Sequence, residues 1–144
     1  MNRIGKLVVK MGFLSLLSAM SAMPLVAQIE NGVDFTTSFP FYAGDTKLPA
    51  GQYKVSQPDE DDPLLLVESM DRKHSVFVEF EPTHSAQPHR ESDITFQKYG
   101  DTDYLNRVWI EGQNYGIKLA PSKVETEAAA AANAVQHSTV ARGQ

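Results

Sequence analysis

Cysteine is absent from this chain of 144 residues. Its absence excludes disulfide bonds, thiolate metal sites, a cysteine nucleophile and the lipid anchor that exported lipoproteins attach to a cysteine. No apolar run reaches the roughly 20 residues that a membrane-spanning helix needs. The fold must therefore be held together by packing of the apolar residues, which form 42% of the sequence.

Common catalytic motifs are also lacking. The chain contains no Gly-x-Ser-x-Gly, no His-Glu-x-x-His, no P-loop and no Gly-x-Gly-x-x-Gly. These patterns mark serine hydrolases, zinc proteases and nucleotide-binding enzymes. Without them, the sequence favours a non-catalytic binding or interaction module that uses no cofactor.

Acidic residues are missing from the start of the chain up to Glu30. Asn2–Lys10 is basic, Met11–Met23 is apolar, and Ala27 suits the position before a cleavage site. This order predicts a secretory signal peptide over 1–27 and therefore an exported protein, either periplasmic or extracellular, with no integral membrane span after cleavage. The alternative is a retained N-terminal anchor.

Positive charge is scarce in the remainder. The chain has 13 basic and 18 acidic residues, and three of the basic ones lie before residue 28, so residues 28–144 carry 13 − 3 = 10 basic groups and a net charge of 10 − 18 = −8. Such a charge disfavours nucleic acid and anionic membrane surfaces as partners. The predicted partner is an extracytoplasmic protein or a glycan.

Period-two alternation of apolar residues runs through most of 28–120. Val33–Phe39 is typical of a half-buried strand, and Tyr53 with Val55 follows a Leu48–Gly51 turn. The pattern predicts a mainly β domain, an antiparallel β-sandwich of about six to seven strands, with a small β-barrel as the alternative. Proline and glycine in the turn predict that Gly51→Val destabilises the domain.

Three other segments have specific expectations. Leu64–Ser69 is continuously apolar at its start, which predicts a strand buried on both faces. Glu81–Ser92 lacks periodicity and is expected to be an exposed crossover loop. Tyr115–Leu119 is expected to be the last short strand of the β domain.

The C-terminal region has the composition of a helix. Ser122 and Glu125 have the spacing of a capping box, and the following alanines favour a helix over 121–136. A thin apolar stripe at helical spacing is formed by Val124, Ala128, Ala131 and Val135, so the helix is expected either to dock weakly on the sheet or to fray. Residues 137–144 are expected to form a disordered tail.

Several short elements follow one another in a fixed order along 35–119. They are Pro40-Phe41, Leu48-Pro49-Ala50-Gly51 with Tyr53 and Val55, His74-Ser75 with Phe77, Phe96 with Tyr99-Gly100, and Leu105 with Val108-Trp109. With this ordered set the chain resembles a family of small exported bacterial proteins of unknown function. The resemblance implies export, and it assigns no activity or site residue.

Residues with metal-ligand chemistry lie in the predicted crossover loop. His84, His89 and Glu91 offer two imidazoles and a carboxylate, the donor types that zinc accepts. The corresponding function is a metal-binding protein or a metal-assisted hydrolase, and solvated loop residues are the alternative. Asp59–Asp62 has oxygen donors for calcium but lacks the spacing of a calcium loop, so a solvated turn explains it as well.

Two further sets of residues have a functional and a structural interpretation. Glu79 and Glu81 lie two residues apart and offer paired carboxylates, or simply the exposed side of a strand. Tyr42, Tyr99 and Trp109 offer an aromatic platform for a sugar or a peptide, the basis of a carbohydrate-binding alternative. Core packing is the structural explanation for such rings.

Overall fold

A computed structural model describes residues 31–132 and 134–143, and the predicted signal peptide at 1–27 lies outside this part of the chain. The described part is mainly β with a single helix, as predicted. The helix, α1, spans Lys123–Ala131. The strands in chain order are β1 (Val33–Thr37), β2 (Phe41–Ala43), β3 (Thr46–Leu48), β4 (Gly51–Ser56), β5 (Leu64–Ser69), β6 (Ser75–His84), β7 (Asp93–Tyr99), β8 (Thr102–Trp109), β9 (Tyr115–Leu119), β10 (Ala134–Val140) and β11 (Arg142–Gly143).

The strands form two layers that share β6. One layer has the order β11-β1-β4-β5-β6 and the other β6-β9-β8-β7-β10, with antiparallel pairing along both orders. Ser75–Glu79 pairs with β5, whereas Phe80–His84 pairs with β9. β6 thus passes from one layer into the other. The short strand β2 pairs with β3 and lies parallel to β8, which makes the second layer mixed.

A second connection between the layers is made near the C-terminal end of the described chain. β10 pairs along its length with β7, and β11 pairs with β1. One continuous segment of the chain, residues 134–143, therefore supplies the outermost strand of each layer. Only Ala141 separates the two strands, and its N–H donates to the Ser92 carbonyl at 2.9 Å. Ala141 is buried.

Alternate residues point into the space between the layers. On β1 the buried residues are Val33, Phe35 and Thr37, and on β4 they are Tyr53 and Val55, which confirms the predicted inward faces. Aromatic rings from both layers meet at the centre, with ring centroids 5.1 to 6.2 Å apart. These rings belong to Phe35, Phe39, Phe41, Tyr53 and Phe96.

Three expectations about the strands are corrected. Eleven strands form in the described part of the chain rather than six or seven, because short pairs such as β2 and β3 carry little periodic signal. Leu64–Ser69 is not buried on both faces: its even positions are half exposed and its odd positions buried. The crossover loop expected at 81–92 is shorter, because β6 continues to His84 by pairing with β9.

The C-terminal prediction is also corrected. The capping box is present, since the Ser122 Oγ accepts from the Glu125 N–H at 3.1 Å, but α1 ends at Ala131 instead of reaching residue 136. The chain then forms β10 and β11 where a disordered tail was expected. Pairing with the otherwise open edge of β7 outweighs the helix propensity of the alanines. The only fully buried residue of α1 is Glu125, whereas Val124 and Ala128 of the predicted apolar stripe are half buried. Val135, the last residue of that stripe, lies in β10.

The backbone conformation at Gly51 is not one that requires glycine. Its φ lies outside the left-handed region, and a Cβ added there would lie 3.7 Å from its nearest neighbour, the Cε2 atom of Tyr53. The turn is instead closed by Tyr53, whose hydroxyl donates to the Pro49 carbonyl at 2.6 Å. The spacing of proline and tyrosine in this motif therefore reflects a hydrogen bond, and Gly51→Val has no backbone reason to destabilise the turn.

Candidate functional site

A cleft of about 460 Å³ lies at the end of the β4–β5 pair. One wall is the Pro49–Tyr53 segment at the start of β4, and the other is the turn from Ser69 to His74 between β5 and β6. The antiparallel register places Tyr53 opposite Ser69, which brings the two walls together. We call this site the β4–β5 cleft.

Hydrogen bonds hold the Ser69–His74 wall in a fixed shape. The Ser69 hydroxyl donates to Asp71 Oδ1 at 2.6 Å, and the Lys73 N–H donates to the same oxygen at 3.1 Å. The Ser69 Oγ also accepts from the His74 N–H at 3.0 Å. Arg72 adopts a left-handed φ of 58°, which lets the chain reverse here. The Asp71 side chain is thereby oriented at the cleft before any ligand arrives.

The chemistry of the cleft is that of a fixed anion beside apolar surface. The Ser69 hydroxyl, and then the Lys73 N–H, hold the pKa of the Asp71 carboxyl below its usual range, so Asp71 is ionised at neutral pH. Burial raises the pKa of the Tyr53 phenol, and the Asp71 charge adds to that effect. Met70 is 47% exposed beside these groups. A carboxylate and an exposed thioether suit a ligand with a cationic or hydrogen-bond-donating group on an apolar stem.

The predicted metal ligands occupy different local structures. His84 is exposed at the end of β6, where it pairs with Tyr115. His89 is half buried, and its ring stacks on Trp109 with centroids 4.3 Å apart. Glu91 is exposed. Within residues 31–132 and 134–143, no group of three or more His, Asp or Glu side chains is arranged to hold a metal ion.

The predicted aromatic platform is divided between two places. Tyr42 stacks on Tyr104 with centroids 5.3 Å apart, and Tyr99 is 5.7 Å from the same ring. Trp109 lies at the other end of β8 against His89. It also covers Gly116, where an added Cβ would lie 2.5 Å from its Cε3 atom. Tyr42 and Tyr99 thus share a cluster from which Trp109 is separate.

Glu125 is the buried carboxylate beside this tyrosine cluster. Burial raises its pKa, and the Ser122 backbone hydrogen bond and the Lys118 charge offset only part of that effect. The Glu125 charge in turn contributes to the raised pKa of Tyr104, after burial and the charge of Tyr42. The folded protein therefore binds a proton at Glu125 more tightly than the unfolded chain does.

The pH dependence of stability should reveal this carboxyl. The stabilising effect of proton binding at Glu125 is fully present below the ordinary glutamate pKa of about 4.3. This stabilisation is lost as the pH rises through the raised pKa that Glu125 has in the folded state. We expect Glu125→Gln to have a higher free energy of unfolding than the parent at pH 7, and a smaller difference from the parent at pH 4. Urea denaturation at the two pH values measures both differences. Glu127→Gln, on the exposed side of α1, is the matched control. A difference from the parent that is equal at both pH values would refute this role for Glu125.

The acidic residues that the sequence singled out as candidate ligands or catalytic pairs lie on the surface. Asp59–Asp62 forms an exposed turn between β4 and β5, in which Asp59 Oδ1 accepts from the Asp61 N–H at 3.0 Å. This turn is at the opposite end of the β4–β5 pair from the cleft. Glu79 and Glu81 are exposed on β6, and Glu81 forms an ion pair of 3.1 Å with Lys118. Their exposure favours the structural interpretation of this pair.

None of the cleft residues was among the predicted site residues. The sequence predicts a turn over Leu48–Gly51, and Met70–Lys73 has the composition of a polar turn. The available signal in the sequence is Met70, an apolar residue directly before the polar run Asp71-Arg72-Lys73-His74. The opposing wall depends on strand register, which the residue pattern alone leaves open.

Comparison of this chain with models of protein families, with curated proteins and with solved structures finds no match. The resemblance to small exported bacterial proteins therefore stays a prediction. Among the helices of the described residues, none has the length and apolar character of a transmembrane span.

Proposed function

We propose that this chain is an exported, non-catalytic binding module. We further propose that the β4–β5 cleft binds a cationic or hydrogen-bond-donating group of an extracytoplasmic partner. The observation that carries the proposal is the Asp71 carboxylate, which two donors from its own turn fix at a cleft of about 460 Å³. Export rests on the signal-peptide pattern at 1–27.

The state of Asp71 favours binding over acid–base catalysis. A general acid or base works best when its pKa is near the operating pH, because it must both gain and lose a proton. Hydrogen bonds lower the pKa of Asp71, so at neutral pH the carboxylate holds its charge. A permanent charge on a fixed group contributes to recognition of an oppositely charged group.

The alternative functions receive less support from the positions of their residues. Among the described residues, His84, His89 and Glu91 do not converge on one point, and Trp109 is separate from Tyr42 and Tyr99. A glycan platform needs its rings side by side, and a zinc site needs at least three ligands at one point.

Side-chain-sized probes test the cleft. The N-acetyl methylamides of lysine, arginine and glutamate would be titrated into the ¹⁵N-labelled protein while amide shifts are recorded. We expect the two cationic probes to shift the signals of Met70, Asp71 and His74. Loss of the charge in Asp71→Asn should weaken binding about five- to tenfold, because a charge-assisted hydrogen bond becomes a neutral one.

The control variant for this experiment is Asp101→Asn. It removes the same charge at an exposed position of the β7–β8 turn, so it separates local recognition from the overall negative charge. The amide introduced by Asp71→Asn retains an oxygen that can accept from Ser69 and Lys73, so the turn should keep its shape. Equal binding to the parent and to Asp71→Asn, or tighter binding of the glutamate probe, would show that Asp71 is not the recognition group.

A further inference from the structure

The outer edge of β6 is open along the first half of the strand. Ser75–Glu79 pairs with β5 on one side, and no strand in the described part of the chain pairs with the other side. Beyond this stretch the edge is covered, since the Ala120 N–H donates to the Glu79 carbonyl at 3.0 Å and β9 pairs with Phe80–His84. An open edge with regular backbone geometry can accept another strand.

The direction of the backbone groups follows from the register. The Phe80 N–H donates to the Pro63 carbonyl at 3.1 Å, so Phe80 is a hydrogen-bonded position toward β5. These positions alternate in an antiparallel pair, which turns Val76 and Val78 toward β5 as well. The N–H and C=O groups of Ser75 and Phe77 must then point to the open side. They offer two donors and two acceptors to an extended chain.

A groove of about 320 Å³ runs along this edge. Its second wall is the Gly44–Thr46 turn between β2 and β3, and Ala120–Ser122 closes one end. Phe77 stands at the groove with 59% of its surface exposed, whereas Phe80, the other phenylalanine of β6, is buried. An exposed ring beside free backbone groups is suited to binding both the main chain and the side chains of a peptide.

The charged residues that line the groove indicate which kind of peptide segment it can bind. Asp45 and Glu79 are its charged lining residues, and both are carboxylates. We propose that the Ser75–Phe77 edge binds an extended segment of a partner protein, one that carries basic side chains beside apolar ones, by strand addition. The inference is independent of the β4–β5 cleft, because it uses other residues and another kind of contact.

Backbone pairing is tested with three short synthetic peptides, each acetylated and amidated. The first alternates lysine and valine, the second alternates glutamate and valine, and the third is the lysine–valine peptide with N-methylated amides. With the first peptide in excess, we expect the Phe77 amide to exchange with solvent at least about tenfold more slowly, because it becomes hydrogen-bonded. The other two peptides should leave its exchange rate unchanged.

Charge recognition is tested on the protein. The double variant Asp45→Asn/Glu79→Gln should weaken binding of the lysine–valine peptide at least about fivefold. Asp59→Asn/Glu60→Gln, with the same charge change in the exposed β4–β5 turn, should bind like the parent. Asp45 Oδ1 accepts a hydrogen bond from the Val124 N–H at 3.2 Å, and the amide oxygen introduced by Asp45→Asn can still accept it.

Three results would overturn the proposal. Equal protection of Phe77 by the N-methylated peptide would show that backbone pairing is not involved. Protection of amides elsewhere, with none at Phe77, would place the peptide at another surface. A dimer in analytical ultracentrifugation whose Phe77 amide is already protected without peptide would mean that a second copy of the chain occupies the edge.

Discussion

Phe41→Ala should lower the free energy of unfolding by about 3–5 kcal/mol, the usual cost of removing a buried phenylalanine ring. The Phe41 ring is fully buried between the two layers. It meets Tyr53 edge-on at 5.1 Å and Phe96 edge-on at 5.3 Å between centroids. Both neighbours are themselves paired into sheets, so they cannot move far to fill the cavity. Urea denaturation followed by circular dichroism measures the change.

Phe77→Ala removes the same ring from an exposed position and is the matched control. Because most of the Phe77 surface is in contact with solvent, the free energy of unfolding should change by less than about 0.5 kcal/mol. The same variant should bind the lysine–valine peptide more weakly. If Phe41→Ala and Phe77→Ala unfolded at the same urea concentration, the aromatic cluster would not be the centre of the core.

Gly116→Ala is the second change with a large expected effect, a loss of roughly 2–3 kcal/mol typical of overpacking. A Cβ at this position would lie 2.6 Å from the Val108 carbonyl oxygen and 2.5 Å from Cε3 of Trp109. The indole can rotate away, but the carbonyl belongs to the β8–β9 ladder. The added methyl group must therefore distort the ladder or push β9 away from β8. Tryptophan fluorescence should change with the stability, since Trp109 is the only indole in the chain.

Gly51→Ala is the companion measurement. Its added Cβ would meet nothing closer than 3.7 Å, and its φ is one that alanine adopts freely. We expect the free energy of unfolding to stay the same or to rise by up to about 1 kcal/mol, because alanine restricts the unfolded chain. A large loss of stability at Gly51 with little change at Gly116 would reverse this assignment of the two glycines.

Strands whose faces differ in polarity could be predicted from the sequence. Val33–Thr37 and Gly51–Ser56 alternate cleanly, so period two identifies both the strands and their inward residues. The capping box at Ser122 was predictable for a similar reason, because its hydrogen bonds join residues only three positions apart. Local patterns report local interactions.

Features made by distant pairing could not be predicted in this way. The β4–β5 cleft needs Tyr53 opposite Ser69, and the open edge of β6 exists because its two halves pair with different strands. β10 follows a run of alanines that favours a helix, and only the vacant edge of β7 decides its conformation. Register and strand order are fixed by the whole sheet, so residue types alone do not identify the candidate site.

The segment that reaches both β7 and β1 also sets the order in which the domain can be completed. Gly143 pairs with Val33 across a separation of 143 − 33 = 110 residues, the most distant strand pairing in the described part of the chain. Until residues 134–143 have been synthesised, the outer edges of β1 and β7 remain without these partners. During that interval the two edges can pair with another copy instead. Rapid pairing of residues 134–143 with β1 and β7 therefore favours folding as a single molecule over exchanged or aggregated forms.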